Sequence, residues 1–194
     1  MKNQNKLKGK DLINLGIYGA LYCVVMTAVS MLGFFPVMLV LLPVIAPIPC
    51  GVPMMLFMTK VKKFGMVTIM AIIVGIFLMI TGMGYWPLIL GIICGLIADF
   101  ICKSGDYKSA KKTAIANGVW HIMIFGNLIP LYINMEEYFA TREGFGLEYI
   151  NTVSSLIQPW SAVALIIGAF VAGVVGAVIG QKLLKKHFEK AGIV

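Results

Sequence analysis

The sequence is short of charge, and shortest of carboxylates. Only 12% of its 194 residues are charged, against 60% hydrophobic, and the mean hydropathy is +0.94. A water-soluble domain carries about 25% charged residues. The composition therefore excludes one and defines an integral membrane protein, read as a single domain. Asp and Glu total 8 and His 2. Asp99 and His121 are the only ionisable residues well inside apolar stretches, a thin set for an intramembrane proton relay. GxxxxGK[ST] and GxGxxG are missing, so nucleotide is not bound by those devices. HExxH and GxSxG are missing as well. The four cysteines (Cys23, Cys50, Cys94, Cys102) lie within or at the edges of apolar segments with no CxxC spacing. They read as small buried apolar residues, not a metal or disulfide framework. No catalytic residue, cofactor or metal site is expected. No cleavable signal is expected either: the apolar run after the basic start exceeds an h-region of roughly 7–15 residues.

What is present is a series of long apolar segments. The reading is an all-α integral membrane protein with six transmembrane helices, at about residues 12–35, 37–59, 65–81, 86–102, 113–134 and 160–180. Each can cross a hydrocarbon core of about 30 Å at 1.5 Å per residue. The net charge of +8 does not point to nucleic acid, because the lysines sit at the ends of these segments. One side collects the basic N-terminus, Lys60, Lys62 and Lys63, the link from Lys103 to Lys112, and a tail with Lys182, Lys185, Lys186, His187 and Lys190. The other collects the turns at Phe34 to Pro36 and Gly82 to Trp86, and an acidic stretch with Glu136, Glu137, Glu143 and Glu148, read as one long loop. By the positive-inside rule both termini are cytoplasmic and the chain is a multi-pass protein of the plasma membrane.

Segment two is unusual. Pro36, Pro43, Pro47, Pro49 and Pro53 fall within it, with Gly51. Each proline inside a helix removes a donor and clashes with the preceding turn. Helix two is therefore expected to be broken, and Pro43 to Gly51 to form a wall or floor of an outward-facing pocket, since freed backbone must line protein or a cavity. The other reading is a kinked span with a structural role only.

Small residues four apart mark helix faces for close packing. Gly16 and Ala20 make such a face on segment one, for a partner or for the chain's own bundle. Gly91 and Gly95 make one on segment four. Segment six has two ridges, Gly168, Ala172, Gly176, Gly180 and Ala169, Gly173, Ala177. Asp99 is expected to pair with Lys103 or another lysine. His121 is open between ligand contact and an internal hydrogen bond.

Recognition chemistry gathers at the outer level: Tyr85 and Trp86; Asn127, Tyr132 and Asn134; Glu136; Gln158 and Trp160. With His121 these are the candidate substrate-binding residues. Aromatic planes with a few amides and a carboxylate suit a flat polar ligand. Interface anchoring of Trp and Tyr is the alternative.

Two stretches carry a family resemblance: Gly51 to Gly65, reading GVPMMLFMTKVKKFG, and Gly91 to Asp99 followed by Gly105-Asp106-Tyr107-Lys108-Ser109. With the six-span layout they resemble the Trep-Strep (MptD-like) group of S components, the substrate-binding subunits of energy-coupling factor (ECF) transporters. The resemblance implies a subunit that binds a vitamin or related micronutrient from outside. It further implies docking on a transmembrane coupling subunit driven by two ATPase subunits, so that any ATP hydrolysis is theirs and the chain itself is not an enzyme. The docking motif of alanines on helix one maps onto Gly16 and Ala20, with glycine at the first position. A stand-alone secondary transporter or channel is the alternative; a membrane enzyme would need a cluster of polar side chains that the spans lack.

Overall fold

The structure is a computed structural model, and it describes residues 8–140, 142, 144–185 and 189. Glu143, Lys186, His187 and Lys190, and the N-terminus before Lys8, lie outside the described residues. Among the described residues all regular structure is helical. Helix α1 is Gly9–Ser30, ending in a 3₁₀ turn; α2 is Pro36–Ile45, α3 Pro47–Lys60, α4 Met66–Leu78 and α5 Trp86–Ser104. Next come α6 (Ala110–His121), a 3₁₀ stretch (Ile122–Leu128) and α7 (Ile129–Ile133). Two short helices, α8 (Met135–Ala140) and α9 (Leu147–Leu156), precede α10 (Pro159–Leu183). Among the described residues five helical segments are long and apolar enough to cross a membrane: Gly9–Phe34, Pro36–Lys60, Met66–Met83, Trp86–Ser104 and Pro159–Leu183.

The proline-rich segment is divided into two helices, as expected, with helical backbone angles kept at the division. The division falls at Ala46, whose φ of −63° and ψ of −36° remain helical. The ladder is interrupted beyond it: Ala46 N–H bonds Leu42 at 2.9 Å and Cys50 N–H bonds Ala46 at 3.2 Å, but Pro47 and Pro49 bring no N–H, and among the described residues no backbone bond from Ile48 spans the division. Pro36 and Pro47 occupy first-turn positions, where a missing N–H costs nothing. Pro43 and Pro53 are inside helices, and the ladder gap falls between Ala46 and Cys50. A second discontinuity falls in the fifth segment, which changes from α to 3₁₀ at Ile122 and back at Ile129. The expected acidic loop is also corrected, since most of it forms α8 and α9.

Small residues set the packing. Both ridges of α10 are used. On one side a Cβ at Gly176 would lie 2.3 Å from the Pro47 carbonyl oxygen, and one at Gly168 would lie 2.8 Å from Val44. On the other, a Cβ at Gly173 would lie 2.8 Å from Gly118. Helix α10 is therefore wedged between the proline-rich segment and α6. The segment through α6 and α7 runs antiparallel along it, from Gln181 bonding the Ala110 carbonyl at 2.8 Å to Tyr132 bonding Ser161 at 2.7 Å. Gly95 sits against Thr68 and Ala71, and Gly75 against Leu88, so α4 and α5 are equally close.

Helix α1 is the outlier. Leu15, Gly19, Tyr22 and Met26 are buried, but Gly16 and Ala20 are exposed, and among the described residues nothing outside α1 lies within 4 Å of a Cβ at Gly16. Of the two readings for that face, internal packing is not what the chain does with it.

Asp99 is fully buried, and its partner differs from the expected lysine. It accepts from the backbone N–H of Val67 (3.3 Å) and Thr68 (2.8 Å) and from the Thr68 hydroxyl (2.5 Å). Helix α4 begins after Gly65, which has φ +90° and no side chain to cap with. Asp99 supplies the cap from the neighbouring helix, a favourable place for a carboxylate. Lys103 lies over the Phe64 ring, 5.1 Å from its centre. An ion pair of Lys63 with Asp11 ties the start of α1 to the α3–α4 turn.

Candidate functional site

At the end opposite the lysines, α8 and α9 fold over the bundle. Their core is aromatic: Tyr138, Phe139, Phe145 and Tyr149 stack edge-on or tilted, at centroid distances from 4.4 to 6.3 Å. The cap is fastened at two turns. Tyr149 donates its hydroxyl proton to the Gly33 carbonyl in the α1–α2 turn. Burial pushes this phenol up to about 12, so it stays a donor at neutral pH. Arg142, in the α8–α9 connection, donates to the Gly82 carbonyl at 2.7 Å, in the α4–α5 turn. It also donates to the Tyr138 carbonyl at 2.8 Å and lies 3.8 Å from the centre of the Tyr138 ring.

Two adjoining concavities lie at this cap. A cleft of about 280 Å³ opens between the α4–α5 turn and α7–α8, lined by Tyr85, Trp86, Pro130, Asn134, Glu137 and Arg142, among others. A deeper chamber of about 190 Å³ lies between α1, α2, α4 and the 3₁₀ stretch. Leu42, Pro43, Leu78 and Ile124 form its apolar wall; Ser30, Asn127 and Arg142 are polar; Phe34, Tyr138 and Phe145 add aromatic faces. Met83, Tyr138 and Arg142 line both. Asn127 reaches the chamber because the 3₁₀ winding re-phases its helix there, and its Oδ1 is buried with no hydrogen-bond partner.

The sequence candidates are distributed unevenly. Tyr85, Trp86 and Asn134 share the cleft, and Asn127 lines the chamber. Asn134 also caps α8, its side chain accepting from Glu137 N–H and donating to the Glu137 carboxylate, both at 3.1 Å. Tyr132 is tied to Ser161, which in turn donates to the Gln158 carbonyl at 2.7 Å, so Tyr132 and Gln158 hold the start of α10. Glu136 lies in a separate groove against α9. Trp160 is 71% exposed, on the outer face of the bundle. Pro43 lines the chamber as expected, whereas Gly51 is pressed against Gly176.

His121 is in neither concavity. It is fully buried beside Tyr22 and Trp120, with Nδ1 2.8 Å from the Asn117 carbonyl. Among the described residues, Asn117 Oδ1 and His121 Nε2 are buried without hydrogen-bond partners, and the buried Tyr22 hydroxyl has the Cys50 thiol beside it. Sequence reasoning missed Arg142 altogether. The signal was available: it is the only arginine in the chain, and it stands in the acidic stretch.

A helical bundle with long apolar spans, a lysine-rich end and a capped, partly apolar chamber at the other is an integral membrane protein with a small-molecule-sized cavity. Residues 9–190 match the family model described as hypothetical bacterial integral membrane protein (Trep_Strep), and the chain belongs to that family. No curated protein and no solved structure matches it.

Proposed function

We propose that the chain is the membrane-embedded substrate-binding subunit of an ECF-type uptake transporter, taking a small micronutrient from outside. In this reading the segment through α6 and α7 is a sixth crossing, both termini are cytoplasmic, and the α8–α9 cap faces outward. The observation that carries the proposal is a division of labour between the two ends. One holds a capped chamber of about 190 Å³. Towards the other, α1 exposes Gly16 and Ala20, and among the described residues nothing outside α1 lies within 4 Å of a Cβ at Gly16. A flat small-residue face lets another helix approach closely in lipid, and a transmembrane coupling subunit with its two ATPases is the partner proposed for it. Without Walker A or other nucleotide motifs in the sequence, energy comes from those partners.

The test is reconstitution. Proteoliposomes containing the chain alone should bind ligand without accumulating it; adding the coupling module and ATP should start uptake. Accumulation by the chain alone would overturn the proposal and favour a secondary transporter. One observation speaks for that second reading: among the described residues, Asn117 and His121 leave polar atoms unpartnered inside the bundle. Against it, Asp99 is engaged in capping α4.

A further inference from the structure

We infer that the ligand is a neutral molecule with an amide-type edge, an N–H beside a C=O, on a small flat apolar body, and that Asn127 reads this edge in the chamber. The inference rests on the substrate-binding reading and specifies the chemical class that this site takes.

The first observation concerns the asparagines from α6 to α8. Asn117 donates to the Gly173 carbonyl at 2.7 Å and so ties α6 to α10. Asn134 caps α8. Asn127 does neither. Its Oδ1 is buried without a partner, and among the described residues its amide nitrogen makes no hydrogen bond. A buried polar atom left unpaired costs free energy that a ligand's polar group would recover. Whichever way the amide is turned, it brings both an acceptor and N–H donors to the chamber wall.

The second is what the other polar groups of the lining already do. The Ser30 hydroxyl donates to the Met26 carbonyl at 2.8 Å. Arg142 and Tyr138 are committed to each other and to the Gly82 carbonyl, as fasteners of the cap. The Asn127 carboxamide is what the fold leaves for discrimination. Its complement is another amide edge, with N–H facing Oδ1 and C=O facing the Nδ2 hydrogens. Asn reads the adjacent donor and acceptor of an adenine edge by the same paired contact. A carboxylate would set its oxygens against Oδ1, and an amidinium would set its hydrogens against those of Nδ2. Either charge leaves half of the carboxamide unmatched, whereas a neutral amide edge matches both halves.

The third is the remainder of the lining. Leu42, Pro43, Leu78 and Ile124 are apolar, and Phe34 and Phe145 add aromatic faces. Such walls suit a flat body without further polar groups. At about 190 Å³ the chamber is smaller than the roughly 300–1,000 Å³ of sites for drug-sized molecules, so the body is small.

The experiment uses the purified full chain in detergent, with binding read by calorimetry. Benzamide, acetophenone, benzoate and benzamidine share one shape and differ in the edge alone. Benzamide offers N–H and C=O; acetophenone keeps C=O and loses N–H; benzoate is the anion and benzamidine the cation. The same series on a naphthyl ring supplies a larger body. In each series the amide should bind roughly tenfold or more tightly than the ketone, the acid and the amidine, the scale of a lost hydrogen bond. Asn127→Leu should remove that preference and bring the amide level with the ketone. The comparison among ligands is made on the wild-type chain, so it holds even where the variant fails to fold. Equal binding of amide and ketone by the wild type, or tighter binding of the acid or the amidine, overturns the inference and leaves the substrate-binding reading standing. A preference for the amide that survives in Asn127→Leu moves the recognised edge elsewhere and overturns it as well. If none of the probes binds, the inference is likewise overturned, and uptake by the reconstituted complex then decides the broader reading by itself.

Discussion

The two ends of this bundle are built on opposite principles. Towards the lysine-rich end, helices touch backbone to backbone: Cβ atoms at Gly51, Gly176, Gly118 and Gly95 would all meet neighbours within 3 Å. Buried there are many methionines and small residues, among them Met54, Met55, Met66 and Met70, all fully buried. Towards the other end, aromatic side chains and single hydrogen bonds from Arg142 and Tyr149 join the cap to the bundle, and cavities remain beside close contacts such as Gly126 on Pro87. Close-packed interiors do not yield to small changes. A capped cavity fastened at two points can. The contrast puts the tightest helix contacts towards the lysine-rich end; on the substrate-binding proposal, ligand exchange belongs to the capped end.

The comparison breaks most severely if a small-residue contact is filled. Gly176→Leu places a side chain where even a Cβ lies 2.3 Å from Pro47 O and 2.9 Å from Ile48 O. Neither oxygen can move without disturbing the helix, so the expected cost is about 3 kcal/mol or more. The chain should fail to give monodisperse protein in detergent. A normal melting profile would show that the inner half is softer than its packing implies.

Next comes Asp99→Leu. It removes a cap that accepts from Val67 N, Thr68 N and Thr68 Oγ1 in a fully buried position. Leaving such donors unpaired costs about 1–3 kcal/mol each, and the melting temperature should fall by several degrees. Asp99→Asn keeps an acceptor and should cost less. Equal loss in both would indicate that charge at the start of α4 matters more than hydrogen bonding. The outer half should behave differently. Asn127→Ala removes a carboxamide that lines the chamber and fills no tight contact, so it should weaken ligand affinity by roughly tenfold and barely shift melting. Tyr149→Phe loses one hydrogen bond of about 1 kcal/mol; it should speed ligand dissociation if the cap must lift for exchange.

Much of this fold was legible because membrane helices announce themselves by length and apolarity. The two ridges on segment six and the Gly91/Gly95 face were equally legible, since close packing in lipid leaves only small side chains for the purpose. So was the division of segment two, because Pro47 and Pro49 bring no N–H to the ladder there. The winding of segment five was not. Segment five carried no proline before Pro130 but winds as 3₁₀ from Ile122 to Leu128. There Gly126 must fit where a Cβ would lie 2.7 Å from Pro87, a tertiary constraint that no local pattern announces. The site was half legible for the same reason. Aromatic and amide residues at the outer level were visible as a group. Which of them share a cavity depends on α8 and α9, read in the sequence as a loop.

The smallest effect on the fold belongs to Gly16→Leu, and it bears most directly on the proposed division of labour. A Cβ at Gly16 meets nothing within 4 Å, and Ala20 one turn on is exposed as well. Leucine also has the higher helix propensity. The variant should therefore melt at or slightly above the wild-type temperature and bind ligand with unchanged affinity. If α1 docks on a coupling subunit through this face, the same substitution separates the two helices by the width of a side chain. Co-purification with that subunit should then fail, and ATP-driven uptake with it. Intact assembly alongside unchanged melting would mean that α1 faces lipid there, and the docking surface would have to be sought on another helix.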